Sequence, residues 1–482
     1  MESSVGSFYW YDLETTGIDP KHDRVVQFAG LRTDLNLEPV EKPFVTYVRL
    51  APEILPSIEA TLITGITPVR TEQGASEWQA LSEINDRFSA AGTCVTGYNN
   101  IRFDDEFIRY GLYRNLLDPY GREWRDGNSR WDLIDLVRAA GALRPDGLEW
   151  PSRDGTPVFS LEQMARANKL QHENAHDALS DVEATLSLAR AIKSRQPELY
   201  AYALTLRQKN TIGELLLPLG ERICVHVSGI YRNSRFCLAP IVSVARHPTI
   251  DNRVIAVDLA GDIDFICEST VEEIRDAVFT HLERRGPDVA RPPLVTVAFN
   301  QCPFIAPISV VRKADAERLQ MDLSALQRAQ DALINCPDLA ERVSAVYLDD
   351  ERDSPSDPEY ALYDGFINDA DRRSSERLQH ALRNGNAWIN GEFTDPRLTT
   401  LSQRLKARVR PDEMDEKERR AHLDFVRQRL AGATNKLDAF MLELQICQEN
   451  GSQDMRDSKI VEALISHAEN LRALYVENAS NG

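Results

Sequence analysis

The order of apolar and polar residues predicts strands and helices that alternate over residues 1–198. Short apolar runs typical of strands occur at 8–12, 24–31, 44–49 and 94–98. Helical spacing of apolar residues occurs at 76–90, 104–116, 131–142, 160–168 and 177–193. Strands that come early, with helices throughout, favour an α/β layer structure. Gln196-Pro197-Glu198 ends the last helical segment, so we place a domain boundary there.

After residue 202 the pattern changes to short β-rich runs separated by turn residues. The runs lie at 223–227, 237–238, 241–244, 254–258 and 294–299. They predict a small barrel over 202–350, which a helical stretch at 313–332 interrupts. Residues 349–358 are acidic and contain prolines, which predicts an exposed linker, and the region from 359 onwards is nearly all helical in pattern. For a chain of 482 residues we therefore expect three domains, at 1–198, 202–350 and 359–482.

Composition narrows the class of protein. No run of 18 or more apolar residues occurs, and the first residues lack a basic region followed by an apolar one. We therefore expect no membrane span and no cleaved signal. The 7 cysteines are scattered, odd in number and without CxxC spacing. That usage is typical of reduced thiols in a cytoplasmic protein without a zinc site.

The formal net charge of −19 argues against a generic nucleic-acid-binding protein, which usually carries a basic footprint. A local groove can still be positive on an acidic protein, and bound metal ions would offset several carboxylates. We therefore expect a narrow, locally basic channel on an acidic body. One basic stretch has two open interpretations, a solvated helix face or a surface that receives an acidic partner; it comprises Arg404, Lys406, Arg408 and Arg410.

Two carboxylates, Asp12 and Glu14, end the first apolar run. Residues i and i+2 of a strand point to the same face, so both carboxylates would project into one space. They would repel each other unless a cation neutralised them, and Mg²⁺ is commonly held by one or two carboxylates together with substrate phosphates. The pair therefore suggests metal-assisted phosphate chemistry, although a solvated strand end would give the same pattern.

Two later segments supply further acids and a base. A helix is predicted to begin near Asp104, where an aspartate could also be a simple N-cap, and Asp105 is the alternative for a catalytic role. His176 and Asp181 open a later helix. If His176 lies in the preceding loop and Asp181 one turn inside the helix, both can face one pocket. Otherwise His176 is a surface loop residue and Asp177 is the cap.

The three segments have a distinctive order along the chain: Asp-x-Glu on a strand, Asn-x-x-Phe-Asp at a helix start, and His-x-x-x-x-Asp at a later helix start. This order resembles the DEDDh superfamily of 3′→5′ exonucleases. Within that superfamily the chain is more similar still to the bacterial exonuclease I family, on stretches at 62–68, 97–100, 128–133, 174–178, 226–229, 257–262 and 363–366. The resemblance covers nearly the whole chain and thins over the C-terminal part.

The resemblance implies a fold and a catalytic centre. The fold is a ribonuclease H-like exonuclease domain with a mixed sheet, followed by an SH3-like β-barrel domain and a helical C-terminal domain. The centre holds two Mg²⁺ ions, for which Mn²⁺ can substitute, and its general base is His176. The implied metal ligands are Asp12, Glu14, Asp104 and Asp181. The Asn-x-x-Phe-Asp pattern selects Asp104 over Asp105.

The resemblance also implies contacts to a single DNA strand, which aromatic stacking and basic side chains usually hold. The implied contact residues are Glu14, Arg109, Tyr120, Trp124, Arg138, Tyr202, Asn252 and Asn300. Each of the aromatic and basic residues has an ordinary structural alternative, since aromatics often lie in cores and helical arginines are often solvated. The chain departs from the family at one position. Members of the family can have an arginine in a Phe-Arg-Leu-Glu stretch, and this chain has Ser160 in its place. If that arginine binds a substrate phosphate in the family, Ser160 cannot make the same contact here.

We therefore expect a monomer that degrades single-stranded DNA from its 3′ end to 5′-mononucleotides in DNA repair and recombination. A further implied partner is the acidic tail of the bacterial single-stranded-DNA-binding protein, for which Arg312 and Lys313 are additional candidate contacts. Two alternatives stay open, a DEDDh exoribonuclease that trims RNA 3′ ends and a catalytically silent single-strand-binding scaffold. The residues beyond the nuclease domain count against the first alternative, and the complete set of catalytic positions counts against the second.

Overall fold

The computed structural model describes residues 6–170, 177–280, 291–348, 355, 357–450 and 454–477. The first elements are β1 (Ser7–Thr15), β2 (Val25–Thr33), β3 (Phe44–Arg49), α1 (Ile58–Thr64), α2 (Pro68–Thr71), β4 (Ala75–Ser76), α3 (Glu77–Phe88), β5 (Thr93–Gly97), α4 (Asp104–Arg114), β6 (Ser129–Asp132), α5 (Leu133–Leu143), β7 (Ser152–Arg153), β8 (Thr156–Pro157), α6 (Leu161–Ala167) and α7 (Ala178–Arg195).

The remaining elements follow in chain order. They are α8 (Pro197–Thr205), α9 (Lys209–Leu216), β9 (Cys224–Val227), β10 (Leu238–Arg246), β11 (Arg253–Asp258), α10 (Ile263–Glu268), α11 (Val271–Phe279), β12 (Leu294–Ala298), β13 (Phe304–Pro307), α12 (Lys313–Arg318), α13 (Leu323–Ile334), α14 (Leu339–Ala345), α15 (Asp369–Arg383), α16 (Pro396–Val409), α17 (Glu416–Ala431), α18 (Lys436–Asn450) and α19 (Met455–Leu471).

The chain divides into two compact units. The first contains residues 1–129, 173–183 and 353–482, and the second contains 130–172 and 184–352. Among the described residues, no helix combines the length and the apolar character that crossing a membrane would require.

The first unit is built on a mixed β-sheet. Its strands follow the order β4-β3-β2-β1-β5. β1 is antiparallel to β2 and parallel to β5, while β3 is antiparallel to β2 and parallel to β4. The α/β class and the mixed sheet expected of the first domain are therefore confirmed.

Strand β1 lies between β2 and β5, and most of its side chains are buried. Tyr9, Tyr11 and Leu13 belong to a core cluster that also contains Phe28 of β2 and Phe107 of α4. Alternation along the strand turns Asp12 and Glu14 to the opposite face. The strand thus presents a row of acids on one side while its other side is fixed by packing.

The C-terminal helices of the first unit pack into their own apolar cluster. Val426 and Leu430 of α17, Leu444 of α18 and Leu464 of α19 are fully buried there, and Ile58 of α1 joins them. The predicted helical character of this region is confirmed.

The predicted exposed linker at 349–358 is wrong at its C-terminal end. Residues 349–354 and 356 lie outside the described part of the chain, but the Asp357 carboxylate accepts hydrogen bonds from Arg404 at 2.7 Å and from Arg429 at 2.8 Å. Glu359, immediately after it, is fully buried. This end of the segment is fixed by charge pairing and does not behave as a free linker.

The basic stretch on α16 is not a solvated helix face, because acids of the same unit neutralise it. Arg404 pairs with Asp357 and Glu359, Lys406 with Glu418, Arg408 with Glu53 and Glu359, and Arg410 with Glu413. Arg24 also reaches Glu359, with a donor–acceptor distance of 2.6 Å. We call Arg24, Arg404, Arg408, Glu53 and Glu359 the buried arginine–glutamate cluster.

The second unit contains a five-stranded antiparallel sheet in the order β12-β11-β10-β9-β13. Its core joins Val242 and Ile255 of the sheet to Ile274 of α11, Leu326 of α13 and Val343 of α14. The expected SH3-like domain is confirmed. The single helical stretch predicted at 313–332 is instead two helices, α12 and α13. Gln320 adopts a left-handed φ of 53°, which breaks the helix, and the Asp322 side chain then caps α13.

Candidate active site

Three carboxylates of the first unit converge on one point. Asp12 and Glu14 extend from the same face of β1, and Asp181 lies in the first turn of α7. One oxygen from each of the three lies within 4.8 Å of the others. The structure thus brings together Asp12, Glu14 and Asp181, from segments almost 170 residues apart in sequence.

Asp104, the first residue of α4, faces the same cluster and is 4% exposed. Burial, together with the charges of Asp104, Asp181 and Glu14, raises the pKa of Asp12 well above its usual range. Burial, followed by the charges of Asp181 and Asp104, raises the pKa of Glu14 to about 8. The four acids therefore oppose one another's ionisation, which is the behaviour of carboxylates placed to share a cation.

The donor set fits a divalent metal. The converging ligand atoms are carboxylate oxygens, which suit hard cations such as Mg²⁺ and Mn²⁺, and a cation would relieve the repulsion that raises the pKa values.

Strand β2 holds the start of α7 against the sheet through a residue that the sequence did not single out. The Gln27 amide nitrogen donates to the Asp177 carboxylate at 3.3 Å, and its amide oxygen accepts from the Ala178 backbone N–H at 3.5 Å. Gln27 is 2% exposed. A glutamine inside an otherwise apolar strand was the available signal. His176, the predicted general base, lies outside the described residues.

Asp105, the alternative for the third acid, has a different environment from Asp104. Its carboxylate accepts hydrogen bonds from the Tyr11 hydroxyl at 2.8 Å and from Arg122 at 2.7 Å. It is fully buried on the helix side of the sheet, where burial and the charges of Asp105 and Asp104 raise the pKa of Tyr11 well above 10. The Tyr11 hydroxyl is therefore a neutral donor at physiological pH.

Two of the predicted DNA contacts in the first unit, Tyr120 and Trp124, line one cavity of about 640 Å³. Trp124 is 64% exposed at its edge, and Tyr120 lines it. Arg109 is largely buried: its guanidinium donates to Glu106 and Glu123 at 2.6–2.9 Å and lies 5.4 Å from the Tyr120 ring centroid. The cavity therefore offers aromatic faces, with Arg109 held beside them by acids.

Two further aromatic side chains of this cavity were not predicted as contacts. Tyr363 is 48% exposed and its hydroxyl donates to Glu106 at 2.6 Å, while Phe366 is fully exposed. Both belong to a stretch that supported the family resemblance, so their signal was present without a role attached to it. A fully exposed Phe that lines a cavity together with other aromatic residues favours a binding role.

The remaining predicted contacts lie in the second unit and are tied to their own surroundings. Arg138 pairs with Asp135 at 2.8 Å, and the Tyr202 hydroxyl donates to the Ile305 carbonyl at 2.7 Å. The backbone carbonyl of Asn252 accepts from Phe299, and that of Asn300 accepts from Arg130. Ser160 is exposed at the start of α6 and makes no side-chain cap.

Comparison with known proteins identifies each part of the chain. Residues 9–189 match the family described as Exonuclease, 207–349 match the Exonuclease I SH3-like domain, and 356–471 match the Exonuclease I C-terminal domain. Exodeoxyribonuclease I of Escherichia coli is 36% identical over 468 residues, which cover 96% of this chain and 98% of that protein.

Two solved structures are similar along the same length. The crystal structure of E. coli exonuclease I in complex with a dA16 oligonucleotide superposes with a TM-score of 0.91 at 36% identity, covering 97% of this chain and 100% of that one. The zinc-bound form of an E. coli exonuclease I–single-stranded DNA complex has a TM-score of 0.90 at 35% identity, covering 97% and 99%. The exonuclease family uses divalent metal ions. The chain therefore belongs to the exodeoxyribonuclease I family and is a nuclease that hydrolyses phosphodiester bonds.

Proposed function

We propose that this protein removes 5′-mononucleotides from the 3′ end of single-stranded DNA, with Asp12, Glu14, Asp104 and Asp181 holding two Mg²⁺ ions. The observation that carries the proposal is the convergence of Asp12, Glu14 and Asp181 within 4.8 Å, with Asp104 close enough to raise the pKa values of Asp12 and Glu14. Mn²⁺ would substitute for Mg²⁺, since both prefer oxygen ligands.

The bound ions would neutralise charge on the scissile phosphate and on the attacking and leaving oxygens. The protein's own residues have other tasks. His176 accepts the proton of the attacking water, because the ordinary imidazole pKa of about 6.5 lets it act near neutrality. Glu14, beyond its role as a ligand, borders the space that the terminal nucleotide occupies. Asp177, the residue after His176 in sequence, is tied to Gln27 of β2.

The DNA strand is held by stacking and by basic side chains. Trp124, Tyr120, Tyr363 and Phe366 offer ring faces around one cavity, and base–aromatic stacking contributes about 1–3 kcal/mol per base. Arg109 supplies positive charge beside Tyr120. Arg138, Tyr202, Asn252 and Asn300 contact the strand from the second unit. The oligonucleotide complexes of the E. coli relative support single-stranded DNA as the substrate.

The acidic tail of the single-stranded-DNA-binding protein would dock on the second unit. Lys313 is 93% exposed, with its nearest acid, Glu317, at 4.0 Å, and Arg312 lies beside it, paired with Asp315 at 2.7 Å. The arginines of α16 are less suited, because acids of their own unit already neutralise them. We place the reaction in the cytoplasm, which suits 7 free cysteines, and in a monomer.

One assay tests the proposal. Full-length protein with Mg²⁺ receives 5′-labelled single-stranded DNA, duplex DNA and RNA of the same sequence. A ladder that shortens only the DNA single strand from its 3′ end is the expected result, and preference for RNA would favour an exoribonuclease. Asp181→Ala is expected to abolish cleavage while the melting temperature stays within a few degrees of the wild type. Near-normal rates in that variant would refute the assignment of the site.

A further inference from the structure

Asp105 links the strand that carries two of the site's acids to the helix that carries a third. Its carboxylate receives the Tyr11 hydroxyl at 2.8 Å and an Arg122 guanidinium N–H at 2.7 Å. Asp105 and the side chain of Arg122 have no exposed surface, and Tyr11 is 2% exposed. Charge-assisted hydrogen bonds in such a dry environment are strong and directional.

The Tyr11–Asp105 hydrogen bond matters for the site because each of the two residues is next in sequence to a proposed metal ligand. Tyr11 immediately precedes Asp12 on β1, and its side chain points away from the site on the helix side of the sheet. Asp105 immediately follows Asp104 at the start of α4. The Tyr11–Asp105 hydrogen bond therefore joins the backbone positions next to Asp12 and next to Asp104, on the face of the sheet opposite to the one on which the metal site is proposed.

The start of α4 needs such a restraint. Phe103, at the N-cap position, makes no side-chain cap to the helix. Asp104 must also be kept near Asp12, another acid, when no cation lies between them. The Asp105 backbone N–H donates to the Asn100 carbonyl at 2.8 Å, but that bond alone fixes no side chain.

We propose that Asp105 is a positioning residue, which acts through Tyr11 and Arg122 to hold Asp104 at its distance from Asp12 before metal binds. The inference rests on the proposed function, because it assumes that these acids are metal ligands. It assigns to the second aspartate of Asn-x-x-Phe-Asp-Asp a task distinct from that of the first. Partners that orient metal ligands typically contribute tenfold to a hundredfold in metal affinity.

Direct metal binding without DNA tests the inference. Mn²⁺ is titrated into EDTA-stripped full-length protein, and free Mn²⁺ is followed by its electron paramagnetic resonance signal. The variants are Asp105→Asn, which keeps the shape and removes the charge, and Tyr11→Phe, which removes only the hydroxyl. Asp258→Asn is the matched control, because Asp258 is also nearly buried and binds an arginine, Arg235, at 2.8 Å and 3.1 Å.

The expected result is an Mn²⁺ dissociation constant raised about tenfold by Asp105→Asn and severalfold by Tyr11→Phe, with Asp258→Asn unchanged. Cleavage rates in both variants should approach the wild-type value at saturating metal. An Mn²⁺ affinity within twofold of the wild type in Asp105→Asn would overturn the inference, whatever happened to its melting temperature.

If Asp105→Asn does not unfold cooperatively, and so is not properly folded, Tyr11→Phe is used for the test in its place. An Mn²⁺ affinity of Tyr11→Phe equal to that of the wild type would then overturn the inference. The titration also separates this inference from the proposed function on which it rests. If wild-type protein and Asp181→Asn bind Mn²⁺ equally well, the proposed metal site itself is refuted, and the positioning role falls with it. If only Asp181→Asn is impaired, the site stands and the positioning role is overturned.

Discussion

The protonation of Glu14 gives the sharpest physical prediction for the site. Burial and the charges of Asp181 and Asp104 raise the pKa of Glu14 to about 8 in the metal-free protein. Metal ligands must be deprotonated, so metal binding has to expel that proton. We therefore expect Mg²⁺ or Mn²⁺ binding near neutrality to release protons, and we expect fewer protons to be released at alkaline pH.

The magnitude follows from the pKa. At pH 7 a group with a pKa of about 8 is about nine-tenths protonated, and at pH 9 it is about one-tenth protonated. Glu14 alone should then account for about 0.9 of a released proton at pH 7 and about 0.1 at pH 9. Asp12, whose pKa is also raised, adds to the total. Glu14→Gln should lower the number released at pH 7 by about 0.9.

Isothermal titration calorimetry measures this number directly. Mn²⁺ is titrated into EDTA-stripped protein in buffers of different ionisation enthalpy, and the slope of the observed enthalpy against the buffer enthalpy gives the protons released. Wild-type protein is compared at pH 7 and pH 9, and with Glu14→Gln at pH 7. A release that is the same at both pH values, or that Glu14→Gln leaves unchanged, would refute the argument that the acids hold protons in the absence of metal.

Three other changes have expected outcomes. Trp124→Ala should weaken the binding of a single-stranded oligonucleotide by about fivefold or more, because one exposed stacking face is lost. Fluorescence anisotropy in EDTA measures this affinity, and an unchanged value would show that Trp124 does not contact the strand. Glu359→Gln should lower the unfolding free energy by about 3–5 kcal/mol, because it removes the buried charge that Arg24, Arg404 and Arg408 share, whereas Glu317→Gln, at an exposed pair, should stay within about 0.5 kcal/mol. Lys313→Glu should weaken binding of a labelled acidic tail peptide severalfold without changing cleavage of free DNA, and equal binding would exclude this docking site.

Local pattern was sufficient for most of the elements. Strands predicted at 24–31 and 44–49 appear as β2 (Val25–Thr33) and β3 (Phe44–Arg49), since their apolar runs were bounded by turn residues. The helix predicted at 313–332 was divided by the local backbone of Gln320, whereas the error at the linker came from interactions distant in sequence. The sequence around Asp357 does not indicate that it binds Arg404 and Arg429. The acidic, proline-bearing segment 349–358 was therefore predicted to be an exposed linker.

The same limit applies to the candidate site. The i, i+2 spacing of Asp12 and Glu14 was enough to predict that they share a face, because strand geometry fixes it. The family pattern Asn-x-x-Phe-Asp selected Asp104 over Asp105, but the environment of Asp105 could not be derived from spacing, since both residues belong to the first turn of one helix. It needed the Tyr11 hydroxyl and the Arg122 guanidinium, which lie on a strand and a turn that sequence alone does not bring together.

Glu359 and Glu14, two buried acids of the first unit, change the stability of the fold with pH in opposite directions. Arg408, Arg24 and Arg404 outweigh the effect of burial and hold the pKa of Glu359 well below 4.5, so its stabilisation is present above pH 4.5 and is lost as pH falls through its folded pKa. Glu14 has the opposite sign. Its folded pKa of about 8 exceeds the ordinary 4.5, so the metal-free folded state is favoured most below pH 4.5 and loses that advantage as pH rises through 8.

Together these two groups should therefore favour the metal-free folded state most at mildly acidic pH, where Glu359 is ionised and the contribution of the proton on Glu14 has not yet been lost. A divalent cation removes the cost of ionising Glu14 and extends the stable range to higher pH, whereas it leaves the acid limit set by Glu359 unchanged. The two groups differ because Glu359 is already paired with arginines of the protein. The acids on β1, α4 and α7 would instead be neutralised by a cation from solution. Ionising the residues that would hold the metal thus weakens the metal-free fold, and the restraint that we propose for Asp105 would act on them from the opposite face of the sheet.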